Sequence, residues 1–346
     1  MIHISILDLI AFLPVIVLFV ISRQADNKSI FDRDSTTTLR GIAMIWIIVH
    51  HIVGRSALGG SPLLTYIGYF ATGLFFFISG YGNTISIEKR YAAPASIKFE
   101  WLFKKIKKIY IPFFFVYLLC YLYIFVFTPS TLPSLKNTVT ELFTVSLPNS
   151  PVWFTKIILL CFLLHWVFKK AFAKLTPSVA FVAVSIAITA YVLYMIVIKA
   201  DSYWYNSVLC YPLGILVAIK KDYILKAIDT KNKKYLFLTG LAVAFIIAFL
   251  ATKLVGYMQI PTALLFSLLC FSYTAIFKSK SRFLAFIGNN SFEFFLVHLA
   301  CLNTFHGLVS VNKYLYVFTV IAATLAAVYV YTTIKKLLFK ENNNVR

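Results

Sequence analysis

The chain has 346 residues, 60% of them apolar and only 13% charged, with a mean hydropathy of +0.84, which excludes an ordinary soluble domain. Its formal charge is +21, from 33 Lys and Arg against 12 Asp and Glu. The basic residues fall in short clusters between apolar runs rather than on one soluble surface, so nucleic acid is excluded as a partner.

Runs of about 17 to 25 apolar residues mark membrane-spanning helices. In chain order they fall at 4–22, 40–54, 65–86, 109–128, 152–168, 178–198, 203–219, 235–252, 258–277, 288–309 and 314–334. The first lacks the basic leader and small-residue cleavage pattern of a signal peptide and is read as a retained helix. Counted on alternate sides of these runs, 27 Lys and Arg lie on one side; the other has only Arg55, Lys136, Lys199, Lys253 and Lys313. The positive-inside rule then sets the N-terminus outside and the C-terminus in the cytoplasm. The expected fold is an all-α, polytopic transmembrane helical bundle of about eleven spans embedded in the lipid bilayer. The connection 87–108 ends in a mixed apolar and basic stretch that reads as an interfacial helix. The outer loop 129–151 is too short to be a domain. The five cysteines, Cys120, Cys161, Cys210, Cys270 and Cys301, lie in or beside apolar runs without metal-ligand spacing, so no metal is expected and they read as small hydrophobes.

The second run carries the first chemical signal. Arg40 and His51 are eleven residues apart, close to three helical turns, so both fall on one face with a rise of roughly 16 Å between them. His50 lies on a different face. A permanent cation at the cytoplasmic end and a titratable imidazole at depth are costly in lipid and point to function. Elsewhere, Ser79 and Gly80 follow three phenylalanines, a pattern that also serves close helix packing. Glu293 and His298 sit five apart, at similar depth but on different faces of one helix; a lone carboxylate there calls for a cation from another helix. Trp153 opens a span from the outer side, as a belt anchor or a stacking surface for a sugar, and Lys156 lies one turn deeper. His3, His165 and His306 read as interfacial.

Several stretches, in order, resemble the signatures of the membrane acyltransferase-3 family. They are Leu39-Arg40-Gly41 running on to His51, Gly73-Leu-Phe-Phe-Phe-Ile-Ser79-Gly80-Tyr81, the basic run ending Lys108-Ile-Tyr-Ile-Pro112, Pro151-Val-Trp153-Phe154, and Gly288-Asn-Asn-Ser291-Phe-Glu293 running on to His298. The resemblance spans roughly residues 39–300. It departs from the common pattern in having Lys104, Lys105, Lys107 and Lys108 where arginine is frequent, and Lys156 after Trp153 where many members have glutamate.

The resemblance implies a ten-helix core and transfer of an acyl group, usually acetyl, to cell-surface carbohydrate. The expected organisation is an extra N-terminal transmembrane helix and cytoplasmic linker (1–38), an acyltransferase-3-like transmembrane domain (39–338) and a cytoplasmic tail (339–346). Acetyl-CoA is the implied donor, no tightly bound cofactor is expected, and the acceptor is a surface glycan or lipid-linked saccharide at the plasma membrane. The chemistry needs a base for the acceptor hydroxyl or a nucleophile to carry the acetyl, and an imidazole serves as either. His51 is the expected base or acyl carrier, supported by Arg40, Ser79 and Glu293. His50, Tyr81, Lys105, Lys108, Trp153, Lys156 and His298 are weaker candidates for donor or substrate contacts. A transporter or flippase for a lipid-linked saccharide is the alternative; against it stands the lack of an evident repeat between the two halves. A glycan polymerase would be expected to have a larger outer loop.

Overall fold

The computed structural model describes residues 5–24, 31–56, 58, 62–90, 97–148 and 152–339. Lipid offers no partner to backbone N–H and C=O groups, so a chain of this composition satisfies them within helices. The first, α1 (Ile6–Ile21), starts from a capping box in which Ser5 Oγ accepts from Asp8 N–H while the Asp8 carboxylate accepts from Ser5 N–H. After it come α2 (Arg33–Ser56) and α3 (Ile67–Arg90), with a 3-10 turn, Pro62–Thr65, between them. Then follow α4 (Phe99–Phe127), α5 (Leu135–Phe143), α6 (Trp153–Ala171) and α7 (Pro177–Val197). A 3-10 turn, Ser202–Trp204, leads into α8 (Cys210–Ile219), α9 (Lys221–Ala227), α10 (Lys231–Ala251) and α11 (Gln259–Ile276). The last helices are α12 (Arg282–Asn289), α13 (Ser291–Thr304), α14 (Leu308–Val311) and α15 (Lys313–Phe339). Two short strands, β1 (Arg23–Gln24) and β2 (Phe277–Lys278), pair antiparallel and tie the end of α1 to the connection after α11.

Each of the eleven apolar runs overlaps a helix or a helix pair. Among the described residues, six helices are long and apolar enough to cross a membrane, or seven if α12 and α13 count as one broken span. The structure differs from the sequence reading at four places. The run 203–219 yields a helix only from Cys210, ten residues long, because its first part is taken by turns. The run 288–309 is broken by a 77° bend between α12 and α13, with the side chain and backbone N–H of Asn290 both donating to the Phe286 carbonyl. The expected interfacial helix is instead the first part of α4, one continuous 29-residue helix. The outer loop holds α5, whose Glu141 accepts from the Tyr117 hydroxyl of α4 at 2.9 Å.

Two helix pairs approach backbone to backbone. A Cβ on Gly41 of α2 would run into the Leu284 carbonyl of α12, and one on Gly288 of α12 into the Thr37 carbonyl. Likewise Gly80 of α3 faces the Tyr211 carbonyl of α8, and Gly214 of α8 faces the Phe77 carbonyl. Small residues allow such contact where lipid supplies no hydrophobic drive between helices. α1 is held to α2 by the Trp46 indole, which donates to the Ala11 carbonyl at 2.8 Å. These contacts fix α2 and α3 inside the bundle, while α7, α10 and α15 turn large apolar side chains such as Ile186, Ile247 and Tyr329 outward.

Candidate active site

α2 and α3 wall a cavity of about 1180 Å³, and a smaller one of about 250 Å³ adjoins it at His50, His51 and Thr65. From α2 the larger cavity receives Arg33, Thr36, Arg40, Met44, Ile47 and His51, spaced by threes and fours along one stripe, and His50 from the neighbouring face. From Arg33 to His51 the helix rises about 27 Å, against about 30 Å for a hydrocarbon core. Gly68, at the start of α3, abuts the His50 ring near the end of α2, and a Cβ there would lie 2.6 Å from it. The two helices thus run past one another in opposite directions, and Thr72, Phe75, Ser79, Asn83, Ser86 and Arg90 line the cavity from α3.

One end is cationic. Arg33, Arg40, Arg90, Lys105 and Lys108 line it, and no Asp or Glu is among the described lining residues. Arg40 donates from Nη2 to Thr37 Oγ1 at 3.0 Å, while its buried Nε has no partner. The Lys105 ammonium lies over the rings of Trp101 and Phe162, 5.4 and 5.9 Å from their centroids. Lys104, from the same basic run, is exposed and pairs with Glu100.

Deeper along the stripe, three imidazoles cluster. His51 lies 5.3 Å from His50 and 5.4 Å from His298, centroid to centroid. His50 Nδ1 is 3.2 Å from the Leu64 carbonyl and His298 Nδ1 is 3.0 Å from the Phe294 carbonyl. A carbonyl only accepts, so both rings carry a proton on Nδ1, and their Nε2 atoms are acceptors. In His298 that Nε2 is buried without a partner, beside the ring of His51. Among the described residues, no group of three His, Cys, Asp or Glu side chains is arranged to hold a metal ion.

Of the residues singled out in the sequence, Arg40, His50, His51, Ser79, Lys105, Lys108 and Trp153 line the cavity. His50 does so although it is rotated from His51, because the cavity also wraps the side of α2 next to Gly68. His298 stands behind His51, outside the lining. Three others lie elsewhere. Tyr81 is buried against Phe31 and Phe271, with centroids 4.9 and 6.3 Å away. Lys156 does not reach the cavity. Glu293, expected to support His51 and to need a cation from another helix, lies 4.0 Å from the Lys335 ammonium on α15 and is not among the residues that line the cavity. Pro151 and His3 lie outside the described residues. His165, read as interfacial, is 3% exposed and contacts the Tyr211 hydroxyl at 3.0 Å; that hydroxyl also accepts from Asn83 Nδ2 at 3.1 Å. Asn83 thus joins the cavity wall to a buried polar network across α3, α6 and α8, which no spacing in the sequence announces.

An elongated cavity with an unneutralised cationic end and an imidazole at depth suits a long anionic ligand whose reactive group lies far from its charge. The chain matches the family model described as an acyltransferase domain over residues 34–333. No curated protein and no solved structure matches it. α1 precedes the matched stretch, which takes in Arg40, the three imidazoles and every other described residue of the cavity except Arg33. A helical bundle with apolar helices of membrane-crossing length, built around that cavity and matched over most of its length, makes this chain a membrane acyltransferase of the acyltransferase-3 family.

Proposed function

We propose that this acyltransferase moves an acetyl group from acetyl-CoA, entering from the cytoplasm, to a hydroxyl of an extracytoplasmic or lipid-linked polysaccharide. The observation that carries the reading is the cavity with five cations at one end, no carboxylate among its described lining residues, and His51 about 16 Å beyond Arg40 along α2. The cationic end would hold the phosphates of coenzyme A, with the planar fork of Arg40 gripping one of them. The pantetheine arm would run along the α2 stripe and bring the thioester to the imidazoles. The orientation proposed is the one the basic loops favour, N-terminus outside and C-terminus cytoplasmic, with eleven spans in the plasma membrane, α1 being additional to a ten-helix core.

In the reaction His51 takes the proton of the acceptor hydroxyl as its oxygen attacks the thioester carbonyl. A C–O bond forms, the tetrahedral intermediate collapses with loss of the C–S bond, and the proton passes from the imidazole to the departing thiolate. Ser79 lines the cavity and would donate to the carbonyl oxygen as charge builds there. The alternative order, with the acetyl resting on His51 before transfer, uses the same atoms and the same ring.

A cavity of this length also suits translocation of a lipid-linked saccharide without chemistry. The two readings separate in one experiment: base-labile acetate on isolated surface glycans, and acetyl-CoA consumption by membranes, measured with wild type, with His51→Ala at matched abundance, and with no protein. Transfer predicts that both readouts fall to the null level in the variant. Equal acetate and equal thioester loss in all three would overturn it.

A further inference from the structure

The end of the cavity remote from Arg33 and Arg40 is assembled from parts distant in the chain. Trp153 begins α6, and the 3-10 turn Ser202–Trp204 precedes α8. The rings of Trp153, Tyr203 and Trp204 form a closed trio, with centroids 5.7 Å (Trp153–Tyr203), 6.3 Å (Trp153–Trp204) and 5.8 Å (Tyr203–Trp204) apart. The turn is pinned, since the Tyr191 hydroxyl donates to the Trp204 carbonyl at 3.0 Å and Asn206 N–H donates to the Ser202 carbonyl at 2.9 Å. Tryptophans that merely anchor a helix sit at headgroup level toward lipid. All three rings of this trio line the cavity instead.

Next to the rings, Asn206 and Gln259 also line the cavity, joined by a hydrogen bond from Asn206 Nδ2 to Gln259 Oε1 at 3.1 Å. Asn206 is 5% exposed, and its Oδ1 is buried with no partner in the protein. A buried acceptor left unmet is costly, so this atom awaits a donor from a ligand or water. No charged side chain among the described residues lines this end. From the trio a run of touching rings leads to the imidazoles: Trp153 to Phe154 at 6.1 Å, Phe154 to Phe295 at 5.5 Å, Phe295 to His298 at 5.8 Å and His298 to His51 at 5.4 Å.

Flat rings beside uncharged amide donors and acceptors match a molecule with apolar C–H faces and a rim of hydroxyls. We infer that Trp153, Tyr203, Trp204, Asn206 and Gln259 form the seat for the pyranose unit that accepts the acyl group. The rings stack on its C–H face, and the two amides bind its hydroxyls and turn one of them toward His51. This seat rests on the transferase reading above and names the residues that hold its acceptor.

The test uses Trp204→Ala, Trp204→Phe and Asn206→Ala in the full chain, at matched membrane abundance. Glycan acetate is measured in cells, acetyl-CoA binding in nanodiscs, and saturation-transfer NMR in nanodiscs uses N-acetylglucosamine tetramer and maltotetraose as probes. The seat predicts about a tenfold or greater fall in glycan acetate for both alanine variants, with Trp204→Phe keeping most of it and donor affinity within about twofold of wild type. It also predicts transfer to sugar C–H protons of at least one probe that disappears in Trp204→Ala. Wild-type acetate in both alanine variants would overturn the seat and leave the transferase reading standing. Equal losses of acetate and donor affinity would overturn it too, because the residues would then shape the whole cavity. If wild type itself adds no acetate, the transferase reading and the acceptor role fail together, and the NMR decides what remains: Trp204-dependent saccharide contacts keep the five residues as a saccharide-binding seat, and their absence removes that too.

Discussion

α2 and α10 are both long enough to cross a bilayer, and the less apolar of them is the more buried. The most apolar window of α2 has a mean hydropathy of 1.4 and is 56% buried; that of α10 has 2.1 and is 11% buried. In water the order would be reversed. When the solvent is hydrocarbon, a purely apolar helix has its best neighbours outside the protein, and polar side chains are driven inward toward one another and toward the cavity. Departure from apolarity within a span is therefore the signal of a site, and α10 shows what a helix without that signal does.

The comparison breaks most visibly if function is removed equally from both helices. His51→Ala should lower transfer by about a hundredfold or more, the loss of a positioned base, while Ile247→Ala on the outer face of α10 leaves the rate within about twofold. Comparable losses from both would end the contrast. The next largest effect concerns assembly: Gly288→Leu inserts a side chain where the Thr37 carbonyl already sits, whereas Gly240 of α10 has nothing within 4 Å of a Cβ. Gly288→Leu should reduce the monodisperse fraction in detergent by about tenfold or more, a cost of overpacking, and Gly240→Leu should leave it near wild type.

Within α2 the contrast can be sharpened by separating binding from turnover. Arg40→Ala should raise the apparent KM for the donor by about tenfold to a hundredfold with a smaller change in kcat, and Arg40→Lys should recover only part of it, because lysine lacks the bidentate fork. A fall in kcat alone would move Arg40 away from donor binding. The smallest effect is expected behind the first row of side chains: His298→Ala and His298→Phe should each lower kcat by about tenfold without altering donor KM. Full activity in His298→Phe would mean that the ring contributes volume and not its unpaired Nε2.

Helices were legible from the sequence because a chain of apolar runs has few other options in lipid, and the Arg40–His51 stripe was legible because 100° per residue is a reliable rule. What escaped depended on contacts between distant segments. The bend between α12 and α13 accompanies the close approach of α12 to α2 at Gly41 and Gly288, a contact between distant segments that nothing within 288–309 announces. That Glu293 would need a cation from another helix could be read from its lone charge, but which helix supplies it, α15 through Lys335, could not. Tyr203, Trp204 and Asn206 were read as the start of a span, since their role emerges only where the turn meets Trp153. The absence of carboxylates among the described lining residues has no one-dimensional pattern at all.

That absence has a further consequence for the cell. The cavity runs beside α2 over a rise of about 27 Å, nearly the thickness of the hydrocarbon, and a water-filled route of that length would leak protons or sodium. Five basic side chains, with no carboxylate among the described lining residues, raise the energy of any small cation in the cavity, much as an arginine and half-helix dipoles keep protons out of water channels. Neutralising these residues would thus be expected to raise cation conductance as well as to weaken donor binding. On the proposed reading, the side chains that would attract the donor would also keep small cations out of the bilayer.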